Sequence, residues 1–249
     1  MNIDWRNDRR CAISLTFDDG LESQLALAIP ALEERSFRGT FYLMTADDKK
    51  LDRFVEPQGR GHEIGNHSIR HVCTGSVNMD SAYYGLERMT LEDMAEELDE
   101  SDRRMREKYP GAESFSFGYP CYNTFVGRGS ERRSYVPLVA ERFAAARGGG
   151  EISTSFNSPE TADVHCLNSW KCERKNASEL IGIVERTVRE GAYSVLTFHG
   201  ISEGHLSVFL PDFIELLDYL HSRRDVVWTA PLLEVATHIR AFQAAKSSR

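Results

Sequence analysis

Thr16-Phe17-Asp18-Asp19-Gly20 decides how this chain is read. The stretch closes an apolar run, residues 11–17, whose β-branched and aromatic side chains mark a buried strand. It ends that run abruptly in two adjacent carboxylates and a glycine that permits a tight turn. Adjacent side chains point in different directions. One aspartate can therefore hold a metal ion while its neighbour stays free to accept a proton, provided that a cation offsets their repulsion. An Asp-Asp-Gly turn without chemistry is the competing reading.

Working outward, further strand-like runs occur at residues 40–45, 62–66, 115–119, 193–198 and 226–229, with weaker candidates near Ile152 and Val164. Helical spacing separates them. Thr90 opens one helix, with Asp93 three residues on as a capping box, and Pro110 limits it. Others are expected over 135–147, 177–190 and 211–220, and a last one from Pro231 with Thr229 as its N-cap. The alternation predicts the α/β class: parallel βα units with about seven strands, forming a barrel or an open sheet, in one domain over residues 1–249. Residues 72–89 and 123–134 fit no element. They follow motifs at strand ends, where barrel loops build sites, and are expected to wall a substrate cleft.

Composition excludes several function classes. Thirty basic against thirty-eight acidic side chains leave a net charge of −8, which repels phosphate backbones, so nucleic acid is not an expected partner. No run approaches the roughly 18 apolar residues of a membrane span, so no membrane partner is expected. The opening residues lack the apolar centre of a secretion signal; the expectation is a cytoplasmic protein, or a trimmed form of a secreted one. The five cysteines are an odd number without a Cys-x-x-Cys pair, so free thiols are expected.

Two further motifs carry chemistry. His67 and His71 are four apart, a spacing that aims two imidazoles at one point on a turn of helix. With a carboxylate from a distant strand they would form a His-His-Asp set that leaves coordination positions open, as a catalytic zinc site does. His62 could compete for a ligand role but is read as structural. Leu196-Thr197-Phe198-His199-Gly200 is a second apolar strand ending in a polar residue and glycine, and a histidine there can serve as an acid or merely be capped by a carbonyl. A serine hydrolase is disfavoured because no Gly-x-Ser-x-Gly elbow is present.

The joint occurrence and order of these motifs resemble the polysaccharide deacetylase family, the NodB homology domain of carbohydrate esterase family 4. The resemblance implies a distorted (β/α) barrel of about seven parallel strands, with a divalent metal, zinc being the expected ion, held by Asp19, His67 and His71. It implies Asp18 as general base and His199 as general acid. Residues 115–122 look like the family's third motif, in which the residue after Pro120, here Cys121, gives its backbone N–H to the oxyanion. Tyr119, Pro120, Trp170 and Leu196 are the substrate-binding candidates. The implied function is metal-dependent removal of an acyl group, acetyl above all, from an N- or O-acetylated carbohydrate. The alternatives are an intracellular amidohydrolase acting on a small non-sugar amide, or a non-catalytic metal- or carbohydrate-binding barrel. Two departures stand out: Gly118 occupies the place of an arginine that orients the base in many members, with Arg147 as a possible substitute, and residues 163–170 match the fourth motif only loosely.

Overall fold

The structure is a computed structural model that describes residues 3–75, 85–148 and 156–247. Nine strands form its main sheet: β1 (Cys11–Asp18), β2 (Thr40–Leu43), β3 (Glu63–Asn66), β4 (Ser116–Gly118), β5 (Ala145–Arg147), β6 (Phe156–Asn157), β7 (Ser169–Lys171), β8 (Tyr193–Phe198) and β9 (Val227–Thr229). Every residue of β1 is buried. β1 pairs in parallel with β8 along one edge; along the other it pairs with β9 over its first half and with β2 over its second. β3, β4 and β5 continue the parallel order beyond β2, and β7 flanks β8. Only the short β6 runs antiparallel.

The sheet curls until its edges meet. Ala146 donates its N–H to Val164 O at 2.8 Å, Leu167 donates to Ala146 O at 2.9 Å, and a parallel bridge joins Arg147 to Leu167, just before β7. Seven parallel strands, β1–β5, β7 and β8, thus surround one interior, the distorted barrel expected from the sequence.

Side chains alternate along a strand, so each strand has an inner and an outer row. On β1 the outer row packs against helices: Phe17 stacks on Phe41 at 4.8 Å and on Phe198 at 5.4 Å, and meets the edge of Phe213 on the helix Leu210–Ser222. The inner row is Ala12, Ser14, Thr16 and Asp18. Its polar atoms are satisfied inside: Tyr193 donates its hydroxyl to Ser14 at 2.8 Å, Ser14 donates to Ala230 O at 2.8 Å, and Thr16 donates to Leu196 O at 3.1 Å. Lower in the barrel, Glu63 accepts hydrogen bonds from Thr40, Ser116 and the Leu233 N–H, tying three strands to the last helix, Leu232–Ser247. Gly65 is required by packing, because a Cβ there would lie 2.4 Å from the Tyr42 ring. The same alternation ends the inner rows of β1, β3, β5 and β8 in Asp18, His67, Arg147 and His199.

Most expected elements appear within a few residues of their expected bounds. The helix Leu91–Lys108 carries the Thr90–Asp93 capping box, and a helix spans Ala177–Glu190. Two differ. The helix expected over 135–147 is Val136–Arg142 only, and Ala145–Arg147 is strand β5. An alanine-rich run favours helix locally, but pairing with β4 and burial of all three residues override that preference. Val164 lies in a turn, and the strand appears instead at Ser169–Lys171; Ile152 falls outside the described residues. No described helix is long and apolar enough to cross a membrane.

His62 has the structural role expected of it. Its Nδ1 accepts the Gly39 N–H at 3.1 Å and its Nε2 faces Glu33 Oε1 at 3.2 Å, so the neutral ring is satisfied on both sides. Burial, despite Glu33, pushes its pKa down from 6.5 to about 4. The unfolded chain therefore takes up the proton first, so stability is complete above pH 6.5 and falls as pH drops towards 4. Asparagine can keep the bond from Gly39 without titrating. Wild type should lose about 2 kcal/mol more than His62→Asn between pH 7 and pH 5. Denaturant unfolding at the two pH values measures the difference, and equal losses in the two proteins would refute the assignment.

Candidate active site

Asp19, His67 and His71 converge at the carboxyl end of the barrel, although their geometry is not the helical one the spacing suggested. Residues 67–71 follow β3 as irregular chain: Ser68 and His71 take left-handed φ values of 62° and 52°, and Ser68 Oγ accepts the His71 N–H at 3.0 Å. This turn, rather than a helix, brings the rings to 4.6 Å between centroids. Asp19, at φ 75°, swings away from the inner row that ends at Asp18, and its Oδ1 stands 3.8 Å from His67 Nε2 and 3.7 Å from His71 Nε2. All three ligand atoms lie within 4.8 Å of one another. Two donors at zinc-bond length and tetrahedral angle would be about 3.4 Å apart, so the set needs only a small contraction to hold an ion.

His67 supplies the test of that fit. Burial pushes its pKa down to about 4, leaving a neutral ring at neutral pH. Its Nδ1 pairs with Gly118 O at 2.7 Å, which fixes the proton on Nδ1 and turns the lone pair of Nε2 towards Asp19. That Nε2 is buried and has no hydrogen-bond partner. A neutral imidazole oriented from behind by a carbonyl, with its open nitrogen facing a carboxylate and a second histidine, is a donor set suited to a divalent cation.

Asp18 is 3% exposed and bonds through Oδ1 to Arg147, which is fully buried. Its Oδ2 lies 3.9 Å from both His67 Nε2 and His199 Nε2. Burial works to raise the carboxyl pKa, but the Arg147 guanidinium, with His67 and His199, holds it below the ordinary aspartate value. The structure also explains Gly118. A Cβ at that position would meet Tyr42 Cγ at 2.9 Å and His67 Nδ1 at 3.1 Å, leaving no path for an arginine. Arg147 is its register partner on β5, so the guanidinium enters from one strand further round the barrel and lies 4.9 Å from the Tyr42 ring.

His199 ends the inner row of β8. Glu173, two residues beyond β7, places Oε1 3.5 Å from His199 Nδ1, the side opposite Asp18. Sequence reading missed this carboxylate because it sought one in residues 163–170; the rule that strand ends carry site residues, applied to Ser169–Lys171, would have pointed to it. Gln24, also missed, donates its side-chain amide to Asp18 O at 2.5 Å and to His199 O at 3.1 Å.

Cys121 follows Pro120 in a turn where Cys121 and Tyr122 both adopt left-handed backbone, φ 51° and 59°. Here the expectation of free thiols is corrected: Cys73 and Cys121 form a disulfide, with Cα atoms 5.7 Å apart. Forty-eight residues separate them, but β3 and β4 are neighbours, so the loops leaving their carboxyl ends meet. The other three cysteines take no part in a disulfide. His71, Cys73 and Cys121 are also within mutual ligand distance, but the sulfurs are bonded to each other.

A cleft of about 500 Å³ opens over these groups, lined by Asp18, Asp19, His71, Cys121, Glu173 and His199 among others. Tyr119 also reaches it, while Pro120 is buried and shapes the turn. Two substrate candidates are corrected. Leu196 is fully buried on the outer row of β8, and Trp170, its register partner, donates to Ser194 and packs beside Phe156 and Arg186, on the helix side rather than in the cleft. Tyr122, Lys171, Arg174 and Leu206 line the cleft instead.

Known proteins resemble this chain in part of its sequence and in its fold. The family model described as polysaccharide deacetylase matches residues 6–126, which include the Asp-Asp-Gly strand end, both histidines and the Cys121 turn. A curated relative, a gellan lyase of a Bacillus species, is 25% identical over 144 residues; these are 58% of this chain and only 5% of that much longer protein. Two solved structures share the fold at low identity. A provisionally named polysaccharide deacetylase from Mycobacterium smegmatis is 15% identical, with a TM-score of 0.66 over 97% of this chain and 94% of its own. A family 4 acetyl xylan esterase from Clostridium thermocellum, in complex with a cobalt ion, is 18% identical, with a TM-score of 0.56 over 91% and 90%. Over residues 6–126 the chain is thus similar to polysaccharide deacetylases, and over nearly its whole length it shares a fold with solved structures that bear that description.

Proposed function

We propose that this protein is a zinc-dependent deacylase that removes acetyl groups from N- or O-acetylated carbohydrate. The observation that carries the reading is the open, buried Nε2 of His67, turned with His71 and Asp19 towards one point beside the Asp18–Arg147 pair. Asp19, His67 and His71 would hold the ion, which when bound supplies an acidified water and a positive charge for the acyl oxygen.

The remaining chemistry belongs to the chain. Asp18, kept ionised by Arg147, takes the proton from the attacking water. The Cys121 N–H donates to the oxyanion as the acyl carbon becomes tetrahedral, a contribution of about 3 kcal/mol for such a donor. His199, with Glu173 behind it to support the imidazolium, gives its proton to the departing amine or alcohol. A module that only bound sugar or metal would need neither the buried Asp18–Arg147 pair nor the His199–Glu173 pair, and both are present.

Acetate release from N-acetylglucosamine oligomers and acetylated xylan should vanish on exhaustive chelation and return with zinc; activity indifferent to chelation would refute the proposal. Asp18→Asn should retain zinc and lose about 10²- to 10⁴-fold in kcat. Turnover near the wild-type value would remove Asp18 from the role of base. Glu173→Gln should lower kcat about tenfold or more with KM and zinc content unchanged, and should shift the pH profile of kcat. An unaltered profile would mean that Glu173 only packs against the histidine.

A further inference from the structure

We propose that the Cys73–Cys121 disulfide is a positioning clamp for catalysis, holding the Cys121 N–H at the mouth of the barrel and making turnover depend on thiol redox state. This deepens the function proposed above and rests on it.

Three observations carry the inference. First, the turn needs holding: Cys121 and Tyr122 are consecutive non-glycine residues in left-handed backbone, a conformation that surrounding structure must enforce. Second, the sheet does little of that work. β3 and β4 share a single register pair, Asn66 with Phe117, so the loops that leave them are weakly fixed by the ladder. Among the described residues, three hydrogen bonds also tie these segments: His67 Nδ1 to Gly118 O at 2.7 Å at the strand ends, the Thr74 N–H to Asn123 Oδ1 at 3.2 Å, and, further out, the Gly127 N–H to Leu86 O at 2.8 Å; of the three, only the Thr74 bond lies within two residues of either cysteine. Third, the bond joins two parts of one site. Cys73 is two residues from His71, with its Sγ 3.6 Å from His71 Nδ1, and Cys121, whose N–H the proposed function gives to the oxyanion, lines the same cleft beside it. Cys121 lines that cleft, so a small thiol can reach its sulfur.

The redox step is ordinary exchange. A dithiol R(SH)2 gives two electrons and two protons, Cys73 and Cys121 become thiols, and the reagent becomes its cyclic disulfide; oxidised glutathione reverses the change and leaves as two thiols. Released from the clamp, the turn can leave its left-handed conformation and carry the N–H away from the acyl oxygen.

Zinc-loaded enzyme, oxidised with glutathione disulfide or reduced with dithiothreitol, should be assayed on N-acetylglucosamine oligomers at a temperature where circular dichroism shows both forms folded. Reduction should lower kcat about tenfold or more with KM and zinc content unchanged, and reoxidation should restore it. The Cys73→Ala/Cys121→Ala protein should match the reduced enzyme and ignore dithiothreitol. Cys73→Ala/Cys121→Gly should recover part of kcat, because glycine adopts φ near 51° without a clamp; a purely stabilising crosslink would show no such rescue. Equal kcat in the two redox states, or a glycine variant no faster than the alanine one, would overturn the proposal. Amide exchange at residues 121–123 provides a readout apart from activity and should quicken on reduction. If the oxidised, zinc-loaded enzyme deacylates no sugar, the proposed function fails, and exchange that is equally slow in both redox states would separately overturn the clamp.

Discussion

The buried pair between Asp18 and Arg147 is the constraint around which this site is organised. Neither charge could remain alone at the mouth of the barrel: removing one partner of a buried pair commonly costs about 3 to 5 kcal/mol. Keeping both requires room for a guanidinium where strands crowd. Gly65 and Gly118 provide that room by letting the Tyr42 ring lie flat across the inner rows of β3 and β4, and the guanidinium rests against it. The arrangement also accounts for the arginine entering from β5, because the position across the register, Gly118, is closed by Tyr42 and His67.

What could be read from the sequence was local. An apolar run that stops in polar residues and glycine signals a strand end whether or not its partners are known, so Asp18, Asp19 and His199 were legible. The His67 and His71 pair was legible too, although a left-handed turn rather than a helix brings the rings together. Tertiary features were hidden. β5 lay within an alanine-rich run that reads as helix, and the disulfide links loops whose proximity follows only from the order of β3 and β4. Leu196 was a different kind of error: it is one residue from Thr197, so strand periodicity alone assigns it to the outer row. Glu173 escaped because its strand had been placed too early, at Val164.

In a chain that is acidic as a whole, each carboxylate of the site stands beside a basic side chain. Asp18 is offset by Arg147, Glu173 stands against His199, and Asp19 faces two histidines, each within 4 Å. The Arg147 guanidinium lets the Asp18 carboxylate stay ionised although it is buried. Lys171 and Arg174 add positive charge at the rim, where Lys171 lies 4.5 Å from the Tyr122 ring.

The Gln24 amide, shared between the carbonyls of Asp18 and His199, sets a division of labour in this molecule. One buried group spans the ends of two adjacent strands, so the separation of Asp18 and His199 is written into the chassis rather than into the rim. The loops after β4 and β7 can therefore be rebuilt without altering that separation.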